Sequence, residues 1–346
     1  MNTSLAPTDH SIDNLKSIAE DLLGRGGLVL ESIEGGRNSR VYRLLAPDGC
    51  YAFKTYFRHA SDSRARMETE FESLEFLWEN GERMTPRPMA AAGGQDCAIY
   101  EWIDGEKIAP GEVTGDDIRT ACAFLARLAH LKDRPGAGRL RPASEACFSA
   151  RALAHCLRGR LEPLLARSGH DELADFLREE LCPALDAACA WSRDRLGDAF
   201  DRDLPREHHT LSPSDFGFHN ALRQAGGRLV FLDFEYFGWD DPVKMICDFL
   251  LHPGMEVPPD LKRMFAASML REFSEAAVRI RAFYPLYGLK WCLILLNEFL
   301  PAHLLRRQYA GMSEHERELR QTEQLAKSRS MLRAVLADNY RFPYGD

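Results

Sequence analysis

The chain has 346 residues, 45% of them hydrophobic and 28% charged, with a net charge of −8. That length buries one large core or two linked ones, and the apolar and charged shares are those of an ordinary globular protein. The negative balance repels polyanions, which excludes general nucleic-acid binding, and there is no basic tail.

The first residues, MNTSLAPTDHSIDNLK, carry neither a basic start nor an apolar run, so no signal peptide is expected. The most apolar stretch, Leu286 to Leu300, contains Lys290, Asn297 and Glu298 and is shorter than the roughly twenty apolar residues a bilayer span needs. It is predicted to be a buried core helix, with no membrane partner. Nine cysteines lie scattered without a CxxC pair or metal-ligand spacing. Such a set predicts reduced thiols packed as small hydrophobes in a cytoplasmic protein.

In chain order, residues 11–23 repeat apolar positions at helical spacing, and Gly24, Gly26 and Gly27 end that helix. From Leu28 to Phe57 the texture is that of an antiparallel meander. LVLESI runs into Gly35-Gly36, RVYRLL follows, and a Pro47-Asp48-Gly49 turn leads to YAFKTYF. A helix with Met67, Phe71, Leu74 and Trp78 on one face comes next, then Pro86, Pro88 and an apolar strand from Ala98 to Ile103. After Asp104-Gly105 helical periodicity dominates, over 116–131, 146–167, 171–200, 259–281, 284–305 and 313–338. One island, His208 to His252, breaks it, with short strands at Ala221–Arg223 and Leu229–Leu232 around Gly226-Gly227. The expectation is an α+β chain in two lobes: 1–103, an N-terminal helix plus a β-rich lobe, and 104–346, a helical lobe. A cleft between them is where ligands tend to bind.

The chemistry concentrates in the island, which reads Ser212-Pro213-Ser214-Asp215-Phe216-Gly217-Phe218-His219-Asn220, then a hairpin, then Leu232-Asp233-Phe234-Glu235. A lone D-x4-N is an ordinary turn, because Asp and Asn cap and bend backbone. A second Asp ending the next apolar strand changes the reading. Phosphoryl transfer needs cations to screen the triphosphate and a carboxylate to orient the attacking hydroxyl, and a loop followed by a hairpin brings Asp215, Asn220 and Asp233 to one place.

The small lobe offers the complementary half. Gly35-Gly36-Arg37-Asn38-Ser39 joins two predicted strands, where small residues let backbone N–H groups approach phosphate oxygens. Lys54 lies in an apolar strand, and Glu70 on the helix that follows it. Singly, a Gly-Gly turn is a hairpin, a strand lysine is a solvated edge residue, and Glu70 is one glutamate among Glu68, Glu72 and Glu75. Their order decides: Gly-rich turn, strand Lys, helix Glu, apolar strand into a hinge, D-x4-N, strand-end Asp.

In these residues the chain resembles the aminoglycoside phosphotransferase and choline kinase superfamily, protein-kinase-like small-molecule kinases, in motifs from Ile33 to His252 and in texture beyond. The resemblance implies a two-lobed kinase fold, ATP and Mg2+ as cofactors, and a small-molecule hydroxyl as acceptor. It implies Asp215 as catalytic base, Asn220 and Asp233 as magnesium ligands, Lys54 as the phosphate-binding lysine and Glu70 as its ion-pair partner. Gly36 and Ser39 fall in the phosphate-binding turn, and Tyr100-Glu101-Trp102-Ile103 at the hinge, where the backbone of Glu101 and Ile103 meets adenine. Asp241-Pro242 and Asp248 match a loop-fixing tail. One departure stands out: the family usually has His two residues before the catalytic Asp, and this chain has Pro213. A proline stiffens a loop by fixing φ, and every group that handles phosphate is present. The departure motivates an alternative, a kinase-fold protein that binds nucleotide without transferring phosphate. A protein kinase is disfavoured, since no Ala-Pro-Glu follows Asp233.

For the acceptor, Glu235, Trp239, Trp291 and Glu298, with Tyr284 and Tyr287, form a candidate aromatic and acidic pocket suited to an amine. Tyr287, Trp291, Ile294 and Glu298 also fall at helical spacing, the pattern of a core stripe. An amino alcohol, an aminoglycoside-like molecule and a sugar all stay open.

Overall fold

The computed structural model describes residues 12–33, 39–57, 64–167, 169–301 and 314–345. Gly36 lies outside them. Five strands, β1 (Val29–Ile33), β2 (Ser39–Ala46), β3 (Gly49–Tyr56), β4 (Pro88–Ala92) and β5 (Cys97–Glu101), form one antiparallel sheet in the order β1-β2-β3-β5-β4. The β2–β3 ladder runs from Ser39↔Tyr56 to Ala46↔Gly49, and Gly49 closes its turn at φ +150. Strand alternation then sorts β3 between two faces. Phe53, with Ile99 of β5, packs under α1 (Ile12–Leu23) against Leu15 and Ile18. Burial of that phenyl stabilises the fold by about 2–3 kcal/mol. The next residue, Lys54, turns to the opposite face, toward α2 (Arg66–Glu79), whose Leu74 and Leu77 belong to the main core.

The linker after β5 leads into a short β6 (Glu106–Lys107), which pairs with β8 (Ala221–Arg223), itself paired with β9 (Leu229–Phe231). Gly105 suits the close approach there, since a Cβ would lie a tight 3.1 Å from Arg223 O. The rest is mostly helical. α3 (Gly115–Leu131) starts at a capping box between Thr114 and Asp117. α4 (Ala150–Leu165), α5 (Asp171–Asp175), α6 (Cys182–Leu196), α7 (Pro242–Leu251), α8 (Pro259–Glu272), α9 (Ser274–Leu295) and α10 (Glu314–Leu336) follow. α9 is central, with α4, α6, α7, α8 and α10 packed on it. Gly288 lets α10 in so closely that a Cβ would meet Val335 Cγ2 at 2.3 Å.

Three expectations are corrected. The island from His208 to His252 contains the ten-residue helix α7, all of whose residues are buried, the charged Lys244 and Asp248 included. The break expected after residue 281 falls at Phe273, which leaves helical geometry (φ −113, ψ 78), and Pro285 sits inside α9. There the missing N–H costs a helical hydrogen bond, set against burial of every residue from Ala282 to Leu293. The edge strand β4 begins at Pro88, where no strand was expected. All nine cysteines are free thiols. Among the described residues no helix is long and apolar enough to cross a membrane.

Candidate active site

Lys54 spans the cleft. Its Nζ lies 2.6 Å from Glu70 Oε2 on α2 and 2.8 Å from Asp233 Oδ1 on the far side, with Glu235 Oε2 at 3.9 Å. Burial alone would lower the lysine's proton affinity, but Asp233, Glu70 and Glu235 outweigh it and raise it well above the ordinary value. Tyr56 Oη donates to Glu70 Oε2 at 2.7 Å and meets Tyr100 Oη at 2.8 Å, and the Phe234 amide donates to Glu70 Oε1 at 3.2 Å. Glu70 is thereby tied both to the sheet and to the segment that carries Asp233. Asp233 itself adopts φ +66, a left-handed conformation that costs a non-glycine residue about 1 kcal/mol or more and turns the chain sharply after β9.

Asp215 sits in the loop after β7 (Thr210–Ser212), which pairs with β10 (Gly238–Asp240). The loop is braced from below. Ser214, at φ +67, donates from Oγ to Ser144 O (3.2 Å) and accepts from Lys244 Nζ (2.7 Å). Lys244 is 1% exposed and also reaches Asp240 Oδ2 at 2.8 Å and Asp248 Oδ2 at 3.2 Å. Asn220 Nδ2 donates to Asp215 O at 3.0 Å, closing the loop and leaving the amide oxygen of Asn220 for another partner. The Asp215 carboxylate is met by two imidazoles, His219 Nε2 at 3.2 Å and His252 Nε2 at 3.5 Å, both at Oδ1. The enclosing protein opposes its ionisation, but the bonds from His219 and then His252 prevail and hold it well below the usual carboxylate range. Its side chain is still 35% exposed, open to a ligand in the cleft.

The other expected residues divide. Ser39 begins β2, opposite Tyr56. Glu101 and Ile103 line a cleft of about 480 Å3, part of it open solvent, with Trp78, Thr85 and Val230, and Glu101 Oε2 accepts from the Arg87 amide at 3.1 Å. The four-residue acceptor pocket is not assembled. Glu235 is 1% exposed at its side chain, facing Lys54 and Arg66 (3.4 Å) rather than the cleft. Burial, with Asp233 behind it, pushes its carboxyl up to about 7 against the pull of Lys54 and Arg66. Trp239 donates from Nε1 to Ala137 O at 3.0 Å. Glu298 is buried on a short turn, its carbonyl accepting from Gln321. Only Trp291 comes near Asp215: its indole donates to Asp248 Oδ1 (3.0 Å) and stands edge-on to His252 at 4.7 Å.

Sequence reasoning missed His219, His252, Tyr56, Arg66 and Lys244. His219, beside Asn220 in the loop, was within reach of it. His252 ends an apolar run with no spacing relation to the loop, so only the fold brings it in. Two groups of described residues place metal-binding atoms within 4.8 Å of one another, Glu70–Asp233–Glu235 and Asp215–His219–His252. An all-oxygen donor set suits a hard cation such as magnesium. Asn220, with its amide oxygen uncommitted, and Asp233, with its second oxygen beyond the Lys54 contact, fit that requirement.

Residues 29–267 match the model of a family described as the phosphotransferase enzyme family. No curated protein sequence matches the chain significantly. Among solved structures, a spectinomycin phosphotransferase in complex with ADP and spectinomycin is 12% identical, with a TM-score of 0.61 over 94% of this chain and 99% of that one. A choline kinase from Streptococcus pneumoniae is 14% identical, TM-score 0.59, over 93% and 98%. A choline kinase from Cryptosporidium parvum is 11% identical, TM-score 0.57, over 90% and 91%. At such identities the likeness establishes the fold: α+β and protein-kinase-like.

Proposed function

The chain belongs to the phosphotransferase enzyme family, and on that premise we propose that it moves the γ-phosphate of ATP, with magnesium, to a hydroxyl of a small molecule. The observation that carries the reading is the Lys54 bridge, 2.6 Å to Glu70 and 2.8 Å to Asp233, which draws a cation and a metal-binding carboxylate to one point of the cleft. In this reading Lys54, aimed by Glu70, holds the α- and β-phosphates. Asn220 and Asp233 hold magnesium, which screens the phosphate charge when bound. Asp215 accepts a hydrogen bond from the acceptor hydroxyl. As that oxygen bonds to the γ-phosphorus, the bond to the β–γ bridging oxygen breaks, ADP leaves, and the proton passes to Asp215.

The acceptor class is an alcohol, with choline, ethanolamine, spectinomycin and hygromycin B as first probes because the structural neighbours act on or bind such molecules by their names. Calorimetry with a non-hydrolysable ATP analogue, with and without magnesium, and ATP consumption over that panel plus simple sugars test the proposal. Magnesium-dependent binding and consumption with at least one alcohol are expected, and absence of nucleotide binding overturns it. Binding without transfer to any acceptor favours the binding-only alternative that Pro213 motivates.

A further inference from the structure

We infer that His219 and His252 are positioning residues that hold Asp215 by one carboxylate oxygen, Oδ1, and leave Oδ2 to receive the acceptor's proton. The inference rests on the phosphotransferase reading of the site. Both imidazole Nε2 atoms approach Oδ1, at 3.2 and 3.5 Å, and no hydrogen bond among the described residues reaches Oδ2. The tautomer of His252 is fixed by its other nitrogen: the Gly254 amide donates to Nδ1 at 3.0 Å, so the ring's own proton sits on Nε2, the nitrogen 3.5 Å from Asp215 Oδ1. His219 Nδ1 is buried with no partner among the described residues. A bare ring nitrogen is tolerated there more readily than an orphaned N–H, which places the His219 proton on Nε2 as well.

The clamp is rigid. The two imidazoles stack at 3.9 Å and 12°, and Trp291 closes the far side of His252 edge-on, itself tied to Asp248. Gly217 lets the loop press against His219, since a Cβ would lie 2.8 Å from Nδ1 and 2.2 Å from Met255 Sδ. On the other flank Pro213 has no side-chain donor to offer, and the described hydrogen bond to the carboxylate comes from His219, four residues further on.

The same three residues also have the composition of a transition-metal site, and the tautomers argue against it. In the tautomers assigned above both Nε2 atoms carry protons and have no lone pair to give a metal.

The first test needs no substrate. Long-range 1H–15N spectra of histidine-labelled protein are expected to show His252 as the Nε2–H tautomer, with that signal shifted in Asp215→Ala. An Nδ1–H tautomer, or an Nε2–H signal indifferent to Asp215→Ala, overturns the inference. The second test is kinetic, with magnesium, ATP and the four probe alcohols. His252→Phe keeps a ring and loses the donor, whereas His252→Gln keeps an N–H close to the Nε2 position and loses the ring. Phe is expected to lower kcat about tenfold to a hundredfold with KM for ATP within twofold, and Gln to lose less. The opposite order marks a packing role and overturns the inference. Asp215→Asn separates the two ideas. If it turns over at the wild-type rate, the base assignment itself fails. If it is inactive while His252→Phe is unimpaired, only the positioning role fails.

Discussion

Lys54 and Asp233, 179 positions apart in sequence, are joined by a 2.8 Å contact between Nζ and Oδ1. The contact ties β3 to the segment after β9, and so fixes how the sheet faces the loop that carries Asp215. It also makes Lys54 the shared counter-charge of Glu70 and Asp233, with Glu235 close behind.

Replacement of Lys54 by Met therefore removes more than the proposed phosphate ligand. Three neighbouring carboxylates lose their common cation, and breaking a buried pair from one side costs about 3–5 kcal/mol. The expected outcome is a large drop in the urea midpoint together with loss of ATP-analogue binding, which unfolding curves and calorimetry measure. A variant as stable as the parent shows that the three carboxylates do not depend on Lys54.

Magnesium should act through Asn220 and Asp233. In the wild type, nucleotide affinity is expected to rise with added magnesium, and in Asp233→Ala that rise is expected to vanish. Asp233→Ala also frees Lys54 from one partner, so its affinity for nucleotide in chelator is the necessary reference. Calorimetry with and without EDTA reads both terms. Equal wild-type affinity in the two buffers ends the metal assignment.

How much of this was legible in the sequence follows from what each residue's local pattern carries. Lys54 was visible because a charge in an apolar strand breaks alternation, and Asp215, Asn220 and Asp233 because their spacing around a hairpin is a local signal. The sheet meander was legible from the Pro47-Asp48-Gly49 turn and the alternation on either side. α7 was not: it is ten residues long and mostly apolar, and a short apolar run does not by itself distinguish a helix from a buried strand. Glu235 was placed in an acceptor pocket, yet it falls in the turn after Asp233 and its side chain is buried against Lys54 and Arg66. His252 was invisible for a different reason: its partner lies 37 residues away by sequence number, on another element, and nothing local encodes that meeting.

Glu145 carries the expected pH dependence. It pairs with Arg160 and lies 3.4 Å from Lys290. Burial opposes its ionisation, but Lys290 and then Arg160 prevail and bring its carboxyl down to about 2 from the ordinary 4.5. With a depressed folded-state value, the unfolded chain binds more protons between those limits. The stabilisation is therefore complete above pH 4.5 and is lost as pH falls toward 2. Glu145→Gln should be less stable than wild type by a constant amount at neutral pH, and the two should converge on acidification. Urea midpoints at a series of pH values measure the gap, and a gap unchanged down to pH 3 contradicts the assignment.

The last prediction concerns the residue on which Asp215 is mounted. Ser214 holds φ +67 while its hydroxyl both donates to Ser144 O and accepts from Lys244 Nζ. Two substitutions separate these features. Ser214→Ala keeps the left-handed strain and removes the hydroxyl, leaving Lys244 short of one of its three partners in a site 1% exposed. Ser214→Gly removes the hydroxyl too but adopts the backbone conformation freely, which is worth about 1 kcal/mol. Glycine should therefore be the more stable variant by about that amount, although glycine is the poorer choice at ordinary positions. Turnover should not follow stability. Both variants lose the hydroxyl that anchors the loop to Lys244, so both should fall in kcat while retaining nucleotide affinity, which the proposed function assigns to Lys54, Asn220 and Asp233. Thermal unfolding and ATP turnover on the two purified variants decide it. If alanine is as stable as glycine, the left-handed conformation carries no strain. If turnover survives in both, the Ser214–Lys244 bond does not hold Asp215 in place.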